Sequence, residues 1–285
     1  MESSIPSLFL GTYQNSSNLS KVIETAFEEG VYGFDTAPSY GTEGILGRCI
    51  RNNLSKYQIE RNKIWVSDKI DSWQMHATKG EVEKYVKQAL NLMQLDYFDI
   101  LYVHWPQPEY LIKTWETFIR IKERGLAKYI GLCNVHKRHV DTVLSQTGIK
   151  PDYIQIERHP LNTCLPEIDY YTQAGIRVQA YSAIGRMDKR LTGSRGLQEL
   201  GRKYNKSIPQ IILRWHLDTK VIPVFMSKKA ERIRENANIY DFSLQQCEIE
   251  DINSLNIDYK LFVESLSNPG ICQNVGRYRF LLLLG

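Results

Sequence analysis

The sequence lacks the features that mark a membrane-spanning or disulfide-bonded protein. Its longest uninterrupted apolar run, at 280–284, has five residues, whereas a membrane-spanning helix needs about 20. The first residues, MESSIPSLFLG, have no basic region and only a short apolar run, so we expect no signal peptide. The five cysteines are odd in number, far apart and without a C-x-x-C pair, which favours reduced thiols in a cytoplasmic protein.

A surplus of one charge and a glycine-rich diphosphate loop are missing as well. Lys plus Arg total 36 and Asp plus Glu total 32, and the resulting +4 over 285 residues is too mild to indicate nucleic acid or an anionic membrane. The glycines at 41, 44 and 47 are spaced G-x-x-G-x-x-G, not the G-x-G-x-x-G that binds a diphosphate. A doubly wound dinucleotide-binding sheet, the alternative fold, would carry that fingerprint after its first strand, where this chain has TYQNSSN.

The chain does contain a regular alternation of apolar, strand-like runs with amphipathic segments. The runs predict eight strands, at 8–11, 32–35, 64–68, 98–103, 128–132, 153–156, 176–180 and 221–225. Helices are predicted at 18–29, behind a capping box at Thr78–Glu81, and at 110–124, 136–146, 164–174, 207–217, 228–237 and 246–255. This pattern predicts an α/β protein with one domain over residues 1–285, a (β/α)8 TIM barrel, whose tail from about 265 fits no pattern.

Polar side chains stand at the carboxyl ends of the predicted strands. Asp35 ends the second strand, Tyr40 lies on the loop after it, and Lys69 and His104 directly follow the third and fourth strands. The next three strands end in or are followed by Asn134, Gln155 and Tyr181. Each residue alone has an ordinary structural explanation as a cap, a surface charge or a packed loop residue. Because these strand ends meet at one rim of a barrel, we expect the residues to converge there.

The four ionisable residues predict a proton-donating site. A tyrosine hydroxyl has an ordinary pKa of about 10, and the ammonium of Lys69 would lower the pKa of Tyr40 by stabilising the phenolate. A buried Lys69 needs a counter-ion, which Asp35 can provide, and His104 can hydrogen-bond a substrate oxygen. A carbonyl oxygen gains negative charge when its carbon receives a hydride, so such a site suits carbonyl reduction.

Several ordered motifs now become recognisable together. They are DTAPSYGTEGILGRCIR at 35–51, VHWP at 103–106, GLCN at 131–134, QIERHP at 155–160, AYSAIG at 180–185 and RIREN at 232–236. With them the sequence resembles the aldo-keto reductase family over nearly its whole length. The resemblance implies a barrel that binds an extended nicotinamide cofactor at its carboxyl rim, and a catalytic tetrad of Asp35, Tyr40, Lys69 and His104 in which Tyr40 donates the proton.

The same resemblance implies cofactor contacts. Asn134 and Gln155 match residues that bind the carboxamide, and Cys133 stands where the family usually has a third such residue, Ser. Tyr181 matches the aromatic residue that stacks on the nicotinamide, and Ser182 matches a phosphate contact. The adenosine end matches Ser227, Arg232, Glu235 and Asn236.

The choice between the two nicotinamide cofactors depends on a departure from the family pattern. Met226 falls where the family often has a Lys that grips the 2′-phosphate. Arg232 remains, and Lys228 or Lys229 can substitute, so we expect NADP(H), with NAD(H) as the alternative. Tyr13 and Trp105 match pocket-lining positions and, with Tyr40 and His104, suggest an aromatic-walled pocket for a small aldehyde or ketone.

Other interpretations remain open at this point. A barrel of this kind can bind nicotinamide nucleotide as a regulatory or redox-sensing subunit without turnover, and a hydrolase is a weaker alternative because no strong carboxylate pair emerges. Cys133, His136 and His139 have a C-x-x-H-x-x-H spacing, but no fourth zinc ligand is evident, so we predict no metal. We expect a cytoplasmic NAD(P)H-dependent oxidoreductase, a monomer or homodimer, without nucleic-acid or membrane partners.

Overall fold

The computed structural model describes residues 5–14 and 17–262, and the predicted unassigned tail from about 265 lies outside them. Eight parallel strands pair in chain order, and the first also pairs with the last, so the sheet closes into a barrel. The strands are β1 (Phe9–Gly11), β2 (Gly33–Asp35), β3 (Trp65–Ile70), β4 (Phe98–Val103), β5 (Ala127–Cys133), β6 (Tyr153–Glu157), β7 (Arg177–Tyr181) and β8 (Ile222–Phe225). The predicted (β/α)8 barrel is confirmed.

Helices form the outer layer of the barrel. They are α1 (Leu19–Glu28), α2 (Glu43–Tyr57), α3 (Ser72–Thr78), α4 (Glu83–Met93), α5 (Leu111–Glu123), α6 (Lys137–Thr147), α7 (Leu165–Gln173), α8 (Lys189–Thr192), α9 (Arg195–Tyr204), α10 (Ile208–Asp218), α11 (Ala230–Ala237) and α12 (Gln246–Asn253). The predicted helices are all present. Four others, α2, α3, α8 and α9, were not predicted.

The predicted capping box at Thr78–Glu81 is wrong. Thr78 is the last residue of α3, and its hydroxyl donates to the carbonyl of Gln74 at 2.8 Å instead of capping a following helix. Lys79 and Gly80 then have φ values of +50° and +89°, which reverse the chain before α4 begins at Glu83. Gly80 tolerates this left-handed backbone because it has no side chain.

Two apolar layers hold the barrel and helices together. The barrel interior is filled by a cluster of buried residues from several strands: Phe9, Trp65, Ile100, Tyr102, Cys133, Tyr153 and Val224. A larger cluster lies between the strands and the helices, because alternate residues of each strand face outward.

Two further structural findings bear on the expectations drawn from composition. No helix within residues 5–14 and 17–262 has the length and apolar character needed to cross a membrane. Cys49, Cys133, Cys164 and Cys247, the cysteines in the described part of the chain, all carry free thiols.

Candidate active site

A buried ion pair lies at the carboxyl end of the barrel interior. The Nζ of Lys69 is 2.7 Å from Oδ1 of Asp35 and also donates to the carbonyl of Thr36 at 2.8 Å. The second oxygen of Asp35 accepts from Ser67 Oγ at 2.7 Å and from Gln155 Nε2 at 2.9 Å. Since β3 extends to Ile70, Lys69 lies within the strand rather than after it as predicted. The hydrogen bonds fix both charges in position.

Tyr40 stands directly above this pair, on the short 3-10 turn Pro38–Tyr40 that follows β2. Lys69 Nζ lies 5.1 Å from the centre of the Tyr40 ring. The ring of His104, the first residue after β4, is 5.8 Å from Tyr40 between centroids, and the ring of Tyr13 is 5.1 Å away on another side. The four residues predicted from strand ends therefore lie together.

The electrostatic environment keeps Tyr40 protonated. Burial raises the pKa of its hydroxyl well above the ordinary value, and the charge of Lys69 counteracts this only in part. The net shift is opposite to the one expected from Lys69 alone. Burial also opposes the charge of Lys69, but Asp35 and Tyr40 outweigh that effect and raise the pKa of Lys69, so it remains an ammonium. At neutral pH the site thus holds a neutral phenol beside a fixed cation.

Asp71, which was not predicted as a site residue, binds His104. Its Oδ1 lies 2.5 Å from Nδ1 of His104, and both side chains are buried. Asp71 directly follows β3, so it obeys the rule that found the other polar residues. It was missed because the predicted third strand stopped at 68, two residues short of its end at Ile70.

Asn134 and Tyr181 form a second polar group at the rim. The Tyr181 hydroxyl donates to Oδ1 of Asn134 at 2.7 Å, and Nδ2 of Asn134 donates to the carbonyl of His104 at 2.9 Å. Asn134 and Ser182, each the first residue after a strand, have φ values of +56° and +51°. Such a backbone is strained for residues other than glycine and clusters at functional sites.

Gln155 and Cys133 are the other two residues that the resemblance matches to the carboxamide. Both are buried in the barrel interior, where the amide of Gln155 donates to Asp35 and to Gln179. The thiol of Cys133 approaches Oε1 of Gln155 at 3.8 Å. In this arrangement Gln155 holds the Asp35 carboxylate, and Cys133 packs behind it.

The residues matched to the adenosine end lie apart from the tetrad, after β8. Ser227 is buried, and its hydroxyl accepts from the backbone N–H of Lys229 at 3.1 Å. Arg232, Glu235 and Asn236 are on α11, with Asn236 buried and the other two exposed. The cationic groups of Lys228, Lys229 and Arg232 form no ion pair within the described part of the chain and are exposed, as is Met226.

A cavity of about 580 Å³ opens at the rim, and none of the four tetrad residues lines it. Trp105, the neighbour of His104, lines it together with Asn134 and Tyr181, and Phe262 packs edge-on against Tyr181 with ring centroids 5.7 Å apart. The backbone N–H groups of Leu261 and Phe262 both donate to the carboxylate of Glu157, at 2.6 and 2.9 Å. These bonds attach the last described residues to the rim.

The C-x-x-H-x-x-H residues do not assemble into a metal site. Cys133 is sealed in the barrel interior, whereas His136 and His139 lie at the start of α6 with their rings 6.0 Å apart. Within the part of the chain that the structure describes, no three His, Cys, Asp or Glu side chains could hold a metal ion together.

Known proteins share both the sequence and the fold. The Aldo/keto reductase family profile matches residues 7–257. The chain is 31% identical to methylglyoxal reductase DkgA of Yersinia pestis, over 90% of this chain and 91% of that protein. Among solved structures, the aldose reductase of Schistosoma japonicum superposes with a TM-score of 0.85 at 26% identity, covering 92% of both chains. The aldo-keto reductase of Bombyx mori in complex with NADP gives 0.83 at 29% identity, again over 92% of both chains.

The profile match spans nearly the whole barrel and includes every strand that contributes to the tetrad. The chain therefore belongs to the aldo/keto reductase family and is an oxidoreductase.

Proposed function

We propose that this protein reduces the carbonyl group of a small aldehyde or ketone to an alcohol, with NADP(H) as cofactor and Tyr40 as proton donor. The observation that carries the proposal is the position of Tyr40 above a buried Lys69–Asp35 ion pair and beside His104. Family membership supports carbonyl reduction as the reaction class.

The residues of the site have distinct tasks in this reaction. When bound at the rim, a reduced nicotinamide would supply the hydride that the carbonyl carbon receives. Tyr40 gives its proton to the carbonyl oxygen, so that one C–H and one O–H bond form as the carbonyl double bond becomes single. Lys69 stabilises the phenolate that remains on Tyr40, and Asp35 holds Lys69 in place. His104 faces the same oxygen and orients the substrate.

The residues present fit a nicotinamide dinucleotide. Asn134 retains a free amide hydrogen and a free lone pair for a carboxamide after its bonds to His104 and Tyr181, since an amide offers two donors and two acceptor sites. The half-buried ring of Tyr181 can stack on an aromatic cofactor ring. The exposed cations of Lys228, Lys229 and Arg232, which form no ion pair with any residue of 5–14 or 17–262, favour a phosphate-bearing adenosine end, and hence NADP(H) over NAD(H). A relative of known structure binds NADP.

A small carbonyl compound is the substrate class that the site supports best. Tyr13 and Tyr40 pack edge to face at the tetrad, and Trp105, the neighbour of His104, lines a cavity with room for a small molecule. A relative that is 31% identical reduces methylglyoxal according to its name, which makes methylglyoxal a suitable first test compound.

The first prediction tests Tyr40. Tyr40→Phe removes only the proton donor, so the rate of NADPH oxidation with methylglyoxal should fall by about a hundredfold or more. NADPH affinity, measured by fluorescence quenching, should stay nearly unchanged because Tyr40 is not assigned to the cofactor.

Tyr85→Phe, at a half-buried tyrosine on α4, is the matched control and should retain full activity. Full activity of the Tyr40 variant would refute the role of Tyr40. If the wild type binds NADPH but oxidises it with none of the aldehydes or ketones tested, the result would favour a cofactor-sensing subunit instead. A clear preference for NADH in the same assay would overturn the choice of NADP(H).

A further inference from the structure

We propose that Asp71 is a positioning residue for the reaction, which holds His104 in its doubly protonated form with Nε2–H directed at the substrate oxygen. The inference rests on the proposed function and adds a residue to it. It starts from the contact between Asp71 Oδ1 and His104 Nδ1 at 2.5 Å, made between two buried side chains.

The Asp71 carboxylate is itself held from two sides. Its Oδ2 accepts from the backbone N–H of Ser39 at 2.9 Å, and Ser39 Oγ lies 3.4 Å from Oδ1. The backbone N–H of Asp71 donates to Oε1 of Gln74 at 2.8 Å, in the capping box that begins α3. Because Ser39 immediately precedes Tyr40, one carboxylate links the turn that carries the proton donor to His104.

The contact determines which nitrogen of His104 carries a proton. An ionised carboxylate only accepts hydrogen bonds, so Nδ1 must carry the proton that lies between it and Asp71. Burial opposes the charge of Asp71, but His104 and Ser39 outweigh it and hold the pKa of this carboxyl below its ordinary value. Asp71 is therefore ionised at neutral pH.

The consequence concerns the other ring nitrogen. Nε2 of His104 has no hydrogen-bond partner within residues 5–14 and 17–262, so it is the nitrogen available to a substrate. A carbonyl oxygen accepts hydrogen bonds, and a neutral ring with its proton on Nδ1 presents only a lone pair at Nε2. His104 can therefore bind a carbonyl oxygen only as imidazolium, the form that a neighbouring carboxylate stabilises.

Other titratable groups surround the His104 ring. Tyr40 faces His104 edge-on and is neutral at physiological pH. Lys69 and Asp35 lie behind Tyr40 as a closed ion pair, so their charges largely offset each other at His104. Burial and, to a lesser extent, the charge of Asp71 raise the pKa of the Glu43 carboxyl on α2. Cys133 is a buried, protonated thiol behind the pair. Asp71 is the one carboxylate in direct contact with the ring among the described residues.

The experiment uses Asp71→Asn, which keeps an acceptor for Nδ1–H but removes the negative charge. We expect kcat/KM for methylglyoxal to fall by about tenfold or more above neutral pH, since removal of one positioned donor to the oxygen that gains charge costs on the order of a hundredfold or more. The alkaline limb of the pH–rate profile should shift to lower pH, and activity should partly recover there. Asp71→Glu should restore part of the profile, and Asp241→Asn, at an exposed aspartate, should leave it unchanged.

A second readout does not depend on turnover. In wild-type protein with ¹⁵N-labelled histidine, NMR at neutral pH should show protons on both ring nitrogens of His104. The His104 signals are assigned as those that disappear in the His104→Gln variant. In Asp71→Asn, His104 should carry a proton on only one of its two ring nitrogens at neutral pH, because the amide is uncharged and can pair with either neutral tautomer. An unprotonated Nδ1 in the wild type, or identical profiles for wild type and Asp71→Asn, would overturn the proposal. Absence of carbonyl reduction with the expected NMR result would instead refute the proposed function alone.

Discussion

At the scale of single residues, the site depends on charges that are buried and completely paired. Lys69 and Asp35 are both buried, and every bond described for them is made within the barrel interior. Ser67 and Gln155 saturate the second oxygen of Asp35, and neither was predicted to do so. Removal of one partner from such a pair leaves an uncompensated buried charge, which costs more than the pair itself contributes.

The residue-scale prediction concerns Lys69→Met. The variant should lose activity and about 3–5 kcal/mol of unfolding free energy, because the Asp35 carboxylate loses its counter-ion. Urea unfolding followed by circular dichroism measures the stability. Lys69→Met combined with Asp35→Asn removes both charges and should recover most of the stability but none of the activity. A single variant as stable as the wild type would contradict the importance assigned to this pair.

Sequence reasoning located the tetrad but not its supporting contacts. Asp35, Tyr40, Lys69 and His104 were recognisable because barrel strands deliver their terminal residues to one rim. The contacts of Gln155 depend on whether its side chain points into the barrel or toward the helices, and on its depth in the barrel. Because side chains alternate between the two faces of a strand, an error of one residue in the register assigns each side chain to the opposite face. Side-chain direction at strand ends is the information that the sequence pattern did not contain.

At the scale of elements, α2 was the largest omission from the predicted fold. Its sequence follows Gly41 and contains Gly44 and Gly47, a spacing of glycines that suggests a loop. In the structure Gly47 is buried inside α2 and faces α4. A Cβ built at this position would lie 2.4 Å from the carbonyl oxygen of Met93. Gly47 thus allows close approach of two helices, a tertiary requirement that local propensity does not report.

The element-scale prediction compares two glycines that both lie in helices. Gly47→Ala should destabilise the protein by about 1–3 kcal/mol, because the added methyl group collides with the backbone of α4. Gly196→Ala is the matched control on exposed α9, where a Cβ has no neighbour closer than 4.0 Å. It should raise stability slightly, since alanine favours a helix by about 1 kcal/mol over glycine. Equal effects of both substitutions on thermal unfolding would refute the steric explanation.

At the scale of the whole molecule, the stability of the fold depends on pH through a buried histidine, His216, whose side chain is neutral in the folded protein. His216 of α10 has Nδ1 2.9 Å from the guanidinium of Arg158 and Nε2 3.0 Å from the carbonyl of Ala183. Nδ1 accepts from Arg158, so the ring is neutral and donates from Nε2. Burial, followed by the charge of Arg158, lowers the pKa of His216 well below its ordinary value.

The whole-molecule prediction is a loss of stability in mild acid. An unfolded histidine binds a proton below its ordinary pKa of about 6.5 while folded His216 does not, so protonation favours the unfolded chain as pH falls. His216 alone contributes at most about 1.4 kcal/mol of loss per pH unit. Thermal unfolding at about pH 7.5 and about pH 5.5 measures the effect. In His216→Gln the decrease should be smaller, and an undiminished decrease would count against His216 as its source.

The closed sheet also affects how copies of this protein meet. Because β1 bonds to β8 on one side and β2 on the other, no barrel strand presents an unpaired row of backbone N–H and C=O groups. An extended segment from a second molecule has no edge on which to add a strand, which protects the folded barrel from edge-to-edge aggregation. Contacts that the eight barrel strands themselves make with a second copy are therefore limited to the side chains and loops around them, since their backbone groups are already paired within the sheet.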